Sequence, residues 1–248
     1  MSGARKTIKR LDWRRCPTGW VRKGRLHDLA PKHGSIADQV MALACLTKII
    51  HEADQQTGVA RVTYDAFERT IGHSRSKVAR GLAVLDEHGL IERGEARSTY
   101  ALDGFDPERG WGKFPWRGFH PGGSEVIRAF EAMRLRQRAE LDAMKLLFLL
   151  VAARDNKTNL AHVTYDAITE QTGIARQHIP AAVGLLVTHQ LVYPRSAPSE
   201  QSEYGVSTSY RLRGIDARRH EGTTGRATLG QTPALETTGT DWIDDLVI

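Results

Sequence analysis

The side chains best suited to chemistry in this sequence are cations and amides that cluster in two short segments. In the first segment, a helix that begins near Ser74 turns by about 100° per residue, which puts Ser76, Arg80 and Ala83 on its outer side, with Lys77 and Ala79 flanking them. Arginine and lysine suit the O6 and N7 atoms of guanine, so Lys77 and Arg80 are the best candidates for reading bases there. Val78, Leu82 and Leu85 share the opposite face, which predicts the buried side.

The second segment carries Arg176, Gln177 and His178 at the corresponding place. Glutamine suits adenine, which makes Gln177 a candidate base reader. Arg176 matches Arg75 of the first segment, and both have two interpretations: a contact to phosphate, or a salt bridge that holds the turn. Pro180 follows closely, so either the helix begins later, with this proline in its first turn, or the helix is kinked.

These two segments belong to an internal repeat. A shift of 101 residues aligns Leu43–Ile91 with Met144–Val192 without a gap, and 14 of the 49 pairs are identical. Five identities are consecutive, Val62–Ala66 against Val163–Ala167. The alignment resumes at an offset of 110, which places nine inserted residues after Val192 and predicts a longer surface loop there.

Each repeat has the pattern helix, helix, turn, helix, hairpin. In the first repeat Ser35 can cap a helix that runs to about Ala53, and Thr63 can cap the second. Gly72 suits the end of that second helix, and Ser74 can cap a third that runs to His88. The pattern that follows predicts two strands, at residues 90–93 and 98–102. The fold class predicted is therefore mainly α with small β wings.

This pattern resembles the winged helices of plasmid and phage replication initiators, which many bacterial transcription regulators share. The resemblance covers about 60% of the chain, and it is carried by Thr63–Ala66, Gly72–Arg75, Val78, Leu82, Leu85 and His88–Ile91. It implies two tandem winged helix-turn-helix domains that bind double-stranded DNA, with the last helix of each in the major groove. The DNA-binding residues expected are Ser74, Arg75, Ser76, Lys77, Arg80, Arg93, Arg97, Arg176, Gln177, His178, Arg14 and Arg15. Because the outward residues differ between repeats, we expect them to read different sequences.

The remaining composition suggests five parts. Residues 1–34 form a basic arm of net charge +8, either a contact to a polyanion or a solvated tail. Residues 35–106 form the first domain, 107–123 a Gly-, Pro- and aromatic-rich linker, and 124–216 the second domain with a long N-terminal helix. Residues 217–248 form a flexible tail.

Three of these parts have alternative interpretations. The linker aromatics either stack on single-stranded bases or pack against a domain. The stretch from Ser124 to Arg154 is one long helix or two, and a homodimer interface there is an open alternative. The acidic and apolar end, Asp241–Ile248, either docks on a host replication or transcription protein or packs on its own domain.

Other classes of function are disfavoured. The chain shows no nucleotide-binding glycine motif and no metal motif, so we expect no catalytic residues, no metal and no cofactor. Two cysteines and the lack of a long apolar run indicate a cytoplasmic protein without a membrane span. The resemblance to replication initiators implies a bacterial protein associated with nucleoid or plasmid. Three functions follow: a replication initiator of a plasmid or other mobile element, a transcriptional regulator, or a non-catalytic subunit that uses its winged helices for protein contacts.

Overall fold

The computed structural model describes residues 12–198 and 206–215. It combines helices, which hold 49% of the residues, with small antiparallel sheets, which hold 18%. Among the described helices, none is both long and apolar enough to cross a membrane. The tail segment Asp241–Ile248 lies outside the described residues, as do residues 1–11.

The first described segment is folded against the rest of the protein. Strand β1 (Trp13–Pro17) is followed by the one-turn helix α1 (Gly19–Arg22). The side chains of Trp20, Leu26 and Leu29 are buried. The prediction that residues up to 34 form an appended arm is therefore wrong for residues 12–34, because these apolar groups complete the core.

The first repeat alternates helices with a three-stranded sheet. Its elements are α2 (Ile36–Glu52), β2 (Val59–Arg61), α3 (Tyr64–Ile71), α4 (Arg75–Glu87), β3 (Ile91–Arg93) and β4 (Thr99–Leu102). Strand β4 lies between β2 and β3 and is antiparallel to both. The sequence pattern missed β2, a strand of three residues in which only Ala60 is buried.

Capping in this repeat follows prediction at one helix and departs from it at another. The Thr63 hydroxyl accepts a hydrogen bond from the backbone N–H of Ala66 at 3.2 Å, as expected for a helix cap. Ser74 occupies the cap position of α4, but its hydroxyl caps nothing. The Glu68 carboxylate accepts the N–H of Arg75 at 2.7 Å instead, so α3 supplies the cap for α4.

The predicted linker is part of the core. Strand β5 (Trp111–Pro115) pairs antiparallel with β1 along its whole length. Phe114 and Phe119 are buried and stack with ring centroids 5.6 Å apart. The packing alternative for these aromatics is the one observed, and residues 107–123 do not act as a spacer.

The stretch from Ser124 to Arg154 holds two helices. Helix α5 (Arg128–Ala132) is short, and α6 (Arg138–Ala153) begins after a break. The Glu140 carboxylate accepts the backbone N–H groups of Arg134, Arg136 and Gln137 at 2.6–2.8 Å, which holds the chain in a non-helical turn before α6. The long N-terminal helix predicted for the second domain is therefore wrong.

The second repeat has the same order of elements. It contains α6, β6 (Leu160–His162), α7 (Tyr165–Thr172), a 3-10 turn (Arg176–His178), α8 (Ile179–Thr188), β7 (Val192–Pro198) and β8 (Val206–Leu212). Strand β8 lies between β6 and β7. The inserted residues lengthen the β7–β8 hairpin, as the alignment predicted.

The duplication extends to single backbone angles. Gly58 and its equivalent Asn159 both have a left-handed backbone, with φ of 69° and 59°, and so do Gly89 and Gln190, with φ of 52° and 56°. Helix α2 packs against α6, its counterpart. Both repeats belong to one compact unit as far as it is described. Residues 216–248 lie outside the described residues.

Candidate nucleic-acid interface

A groove of about 300 Å³ opens beside α4 in the first repeat. Its walls are the end of β2, the start of α3, the start of α4 and the turn between β3 and β4. The cations Arg61, Arg75 and Arg97 line it, together with one carboxylate, Asp65. A concave surface with three guanidinium groups is suited to an anion such as a phosphate.

Arg75 is held in the groove by two neighbours. Its guanidinium lies 4.9 Å from the centre of the Tyr64 ring and 3.5 Å from the Asp65 carboxylate. Its side chain stays 56% exposed, so this salt bridge leaves donors free to face solvent. Both interpretations of Arg75 therefore fit: it ties α4 to α3, and it faces the groove.

The outward side of α4 carries the predicted base readers. Ser74 and Ser76 are exposed, with their hydroxyl oxygens 3.3 Å apart. Arg80 is 55% exposed, and its Nε donates to the Asp38 carboxylate at 2.8 Å. Asp38 lies in the first turn of α2 and anchors Arg80 to that helix.

Lys77 flanks the outward side of α4, where the helical pattern placed it. Its side chain is half-buried, and its Nζ lies 3.3 Å from Nδ1 of His73. Burial, and after it Lys77, lower the pKa of His73. Lys77 therefore lies at the edge of the outward face.

The hairpin turn supplies two further cations. Arg93 on β3 donates to Asp86 at 2.9 Å, and both side chains are exposed. Arg97 is exposed in the turn and lines the groove. The structure thus brings the predicted Arg75 and Arg97 together, and Arg93 lies at a second, adjoining groove with both of them.

In the second repeat the predicted residues lie before the helix. Arg176 pairs with Asp166, and its guanidinium lies 5.6 Å from the centre of the Tyr165 ring. Gln177 is exposed and His178 is half-buried, and both belong to the 3-10 turn. Of the two alternatives at Pro180, the structure has the later start: the proline lies in the first turn of α8.

Arg14 and Arg15 lie apart from these groups and serve packing. Arg14 donates from Nε to the carbonyl of His51 at 3.1 Å. The guanidinium of Arg15 lies 5.1 Å from the centre of the Trp111 ring and donates to the carbonyl of Gln55. Their placement on β1 ties that strand to α2 and to the loop that follows it.

Arg61 is the groove residue that sequence reasoning missed. It is exposed at the end of β2, two residues before the cap of α3. The alternation around Ala60 was a usable signal, but three residues are too few to distinguish a strand from a loop.

The sequence matches no protein-family model and no curated protein.

Proposed function

We propose that this protein, with its two tandem winged-helix units, binds double-stranded DNA in a sequence-specific manner without catalysing a reaction. The observation that carries the proposal is the arginine-lined groove beside the exposed face of α4. In a winged helix, the N-terminal side chains of the last helix contact base edges, while flanking cations contact phosphates. The first repeat has both kinds of group side by side: the outward side chains of α4, and the arginines of the adjoining groove.

The arrangement assigns a role to each side chain. Arg80 and Ser76 reach base edges in the major groove, and Arg61, Arg75 and Arg97 bind the phosphates beside it. Asp38 and Asp65 hold two of these arginines in fixed positions, which reduces the conformational entropy lost on binding. These ion pairs thus present the arginine donors in a pre-organised arrangement.

Within this activity, the replication initiator of a plasmid or other mobile element is our first candidate. The resemblance of the helix pattern to such initiators favours it, and the acidic and apolar Asp241–Ile248 peptide is suited to recruiting a host protein. A transcriptional regulator of the same architecture is the second candidate. Repeated binding sites at an origin, mapped across plasmid and chromosome, favour the initiator, whereas sites at promoters favour the regulator.

The test of DNA binding compares two variants of one ion pair. Arg80→Ala removes a base reader and is expected to weaken specific binding by about 1–3 kcal/mol and to relax preference at one base pair. Asp38→Asn is the matched control: it breaks the same ion pair but keeps Arg80, so it is expected to weaken specific binding less than Arg80→Ala does and to leave the base preference unchanged. Selection from a random duplex library gives the site, and titration of both variants gives the affinities. A folded Arg80→Ala variant with unchanged affinity and selectivity would exclude this docking.

A further inference from the structure

The two repeats present different charges at equivalent positions. Six cations surround the groove and the outward face of α4: Arg61, Arg75, Lys77, Arg80, Arg93 and Arg97. Counterparts at an offset of 101 are clear for the first five, and only one of these is a cation: His162, Arg176, His178, Ala181 and Pro194. On the exposed side of the preceding helix, Arg69 corresponds to Glu170, which reverses the charge. The second repeat thus has fewer cations at these equivalent positions, although Arg195 on β7 is exposed.

The helix that would enter the major groove also differs. Helix α4 contains three cations, whereas α8 contains no charged residue along its ten described residues. Its exposed positions are Pro180, Ala181, Gly184, Val187 and Thr188. Val187 is 37% exposed, and Tyr193 on the adjoining strand β7 is 45% exposed, so this face is uncharged and partly apolar.

Helix α8 also lacks the turn that matters most for base contacts. Arg176 is the equivalent of Arg75, the first residue of α4, yet α8 begins three residues later, at Ile179. Gln177 and His178 consequently lie in a 3-10 turn rather than on the helix. Base edges are contacted from the N-terminal turn of a recognition helix, and the second repeat presents Arg176, Gln177 and His178 there from a 3-10 turn instead of an α-helical one.

The single retained cation has a structural role in both repeats. Arg75 and Arg176 each pair with an aspartate and lie over a tyrosine, Asp65 with Tyr64 and Asp166 with Tyr165. This arrangement fixes the start of the third helical segment against the start of the second. Its presence in the second repeat is explained without any contact to DNA.

We infer that the duplex contact of one chain is confined to the first repeat, and that the second repeat is a winged helix that has lost its DNA face. The inference rests on the proposed function, and it limits each chain to one major-groove contact. The second repeat then supports the first through the packing of α6 on α2.

The test places the same probe at equivalent positions of the two helices. Ala83 on α4 and Gly184 on α8 are equivalent and exposed, and a side chain added at Gly184 meets nothing within 4 Å. The native thiols Cys16 and Cys45 are fully buried, and burial raises the pKa of both. The single variants Ala83→Cys and Gly184→Cys can therefore be labelled selectively with a photo-crosslinker.

We expect the probe at position 83 to crosslink to its selected duplex and the probe at position 184 to give only the background of a non-specific duplex. As a second readout, Ala83→Glu is expected to weaken binding roughly 10- to 100-fold, because a carboxylate would face the phosphates, while Gly184→Glu changes it less than about twofold. Equal crosslinking, or equal losses of affinity, overturns the inference. A wild-type chain that binds no duplex overturns the proposed function and the inference with it, whereas a chain that binds through both helices overturns the inference alone.

Discussion

His51 lies at the end of α2 in the interior, between the edges of the Phe114 and Phe119 rings. Its Nε2 donates to the carbonyl of Pro115 at 3.1 Å, and its Nδ1 lies 2.9 Å from Nε2 of His120. Burial, and after it His120, hold the pKa of His51 well below its ordinary value, and Lys48 and Arg14 act in the same direction. The folded protein therefore keeps this ring neutral where the unfolded chain would protonate it.

This difference makes stability depend on pH. The unfolded chain takes up a proton at His51 as the pH falls below about 6.5, and the folded protein does not, so the free energy of unfolding from this group decreases by about 1.4 kcal/mol per pH unit below that value. His51→Gln keeps a donor and an acceptor but does not titrate, so we expect its stability to fall less between pH 7.5 and pH 5.5. Urea unfolding of both proteins at the two pH values measures the difference.

The control for this measurement is His33→Gln, because His33 is exposed. It should retain the pH dependence of the wild type. If His51→Gln loses as much stability on acidification as the wild type does, His51 is not the source of the effect.

Among the elements, the contact between α2 and α4 depends on the size of one residue. A Cβ atom built at Gly81 would lie 2.7 Å from Cγ of Met41 and 2.9 Å from its backbone carbon. The equivalent residue of the second repeat, Ala182, is buried with its methyl group in place. The first repeat therefore packs its third helix more closely than the second does.

This close contact predicts opposite effects for one substitution at two glycines. Gly81→Ala is expected to lower the free energy of unfolding by about 1–3 kcal/mol, because backbone atoms of α2 cannot move aside. Gly184→Ala, on the exposed side of α8 where a Cβ meets nothing, is expected to raise it by roughly 0.5–1 kcal/mol. Thermal or urea unfolding checks both, and a destabilised Gly184→Ala variant would contradict the reasoning.

The helices of the repeats were predictable from sequence because their signals are local. Thr63 and Gly72 mark the two ends of α3, and both act as expected. The break before α6 was not predictable, because it depends on the Glu140 carboxylate bonding to three backbone groups in a stretch without glycine or proline. The late start of α8 was left open by the position of Pro180, and only the structure distinguished the alternatives.

For the whole molecule, the pairing of β1 with β5 was the largest feature that the sequence did not reveal. These strands are about 100 residues apart, and neither has a pattern that identifies its partner. As a result Arg14 and Arg15 were assigned to DNA from charge alone, whereas in the structure they bind the carbonyls of His51 and Gln55. Arg75 was easier to predict because the repeat placed it at the start of a helix, whereas Arg61 was missed together with its short strand.

The basic residues ahead of β1 can be tested separately from the described residues of the core. Residues 1–11 carry Arg5, Lys6, Lys9 and Arg10 and no acidic residue, a charge of +4 before β1 begins. Deleting them is expected to weaken specific and non-specific binding together. The slope of log affinity against log salt should become shallower by at most about 3.6, the value for four phosphate contacts.

A matched deletion of residues 1–34 removes β1 and the buried Leu26 and Leu29. We expect this truncated protein to unfold, rather than to remain folded with a lower affinity for DNA. Binding titrations at several salt concentrations, with circular dichroism of each protein, distinguish the two results. An unchanged slope after deletion of residues 1–11 would show that these four cations do not contact phosphates.

The antiparallel pair of β1 and β5 also sets an order of events during synthesis. Trp13 pairs opposite Pro115, so the first strand leaves the ribosome about 100 residues before its partner exists. At roughly 5–20 residues per second, that strand waits on the order of 5–20 s with its backbone groups unpaired. The nascent chain therefore carries an open strand edge while the first repeat is already complete, and a chaperone that covers the N-terminus over this interval should raise the yield of folded protein.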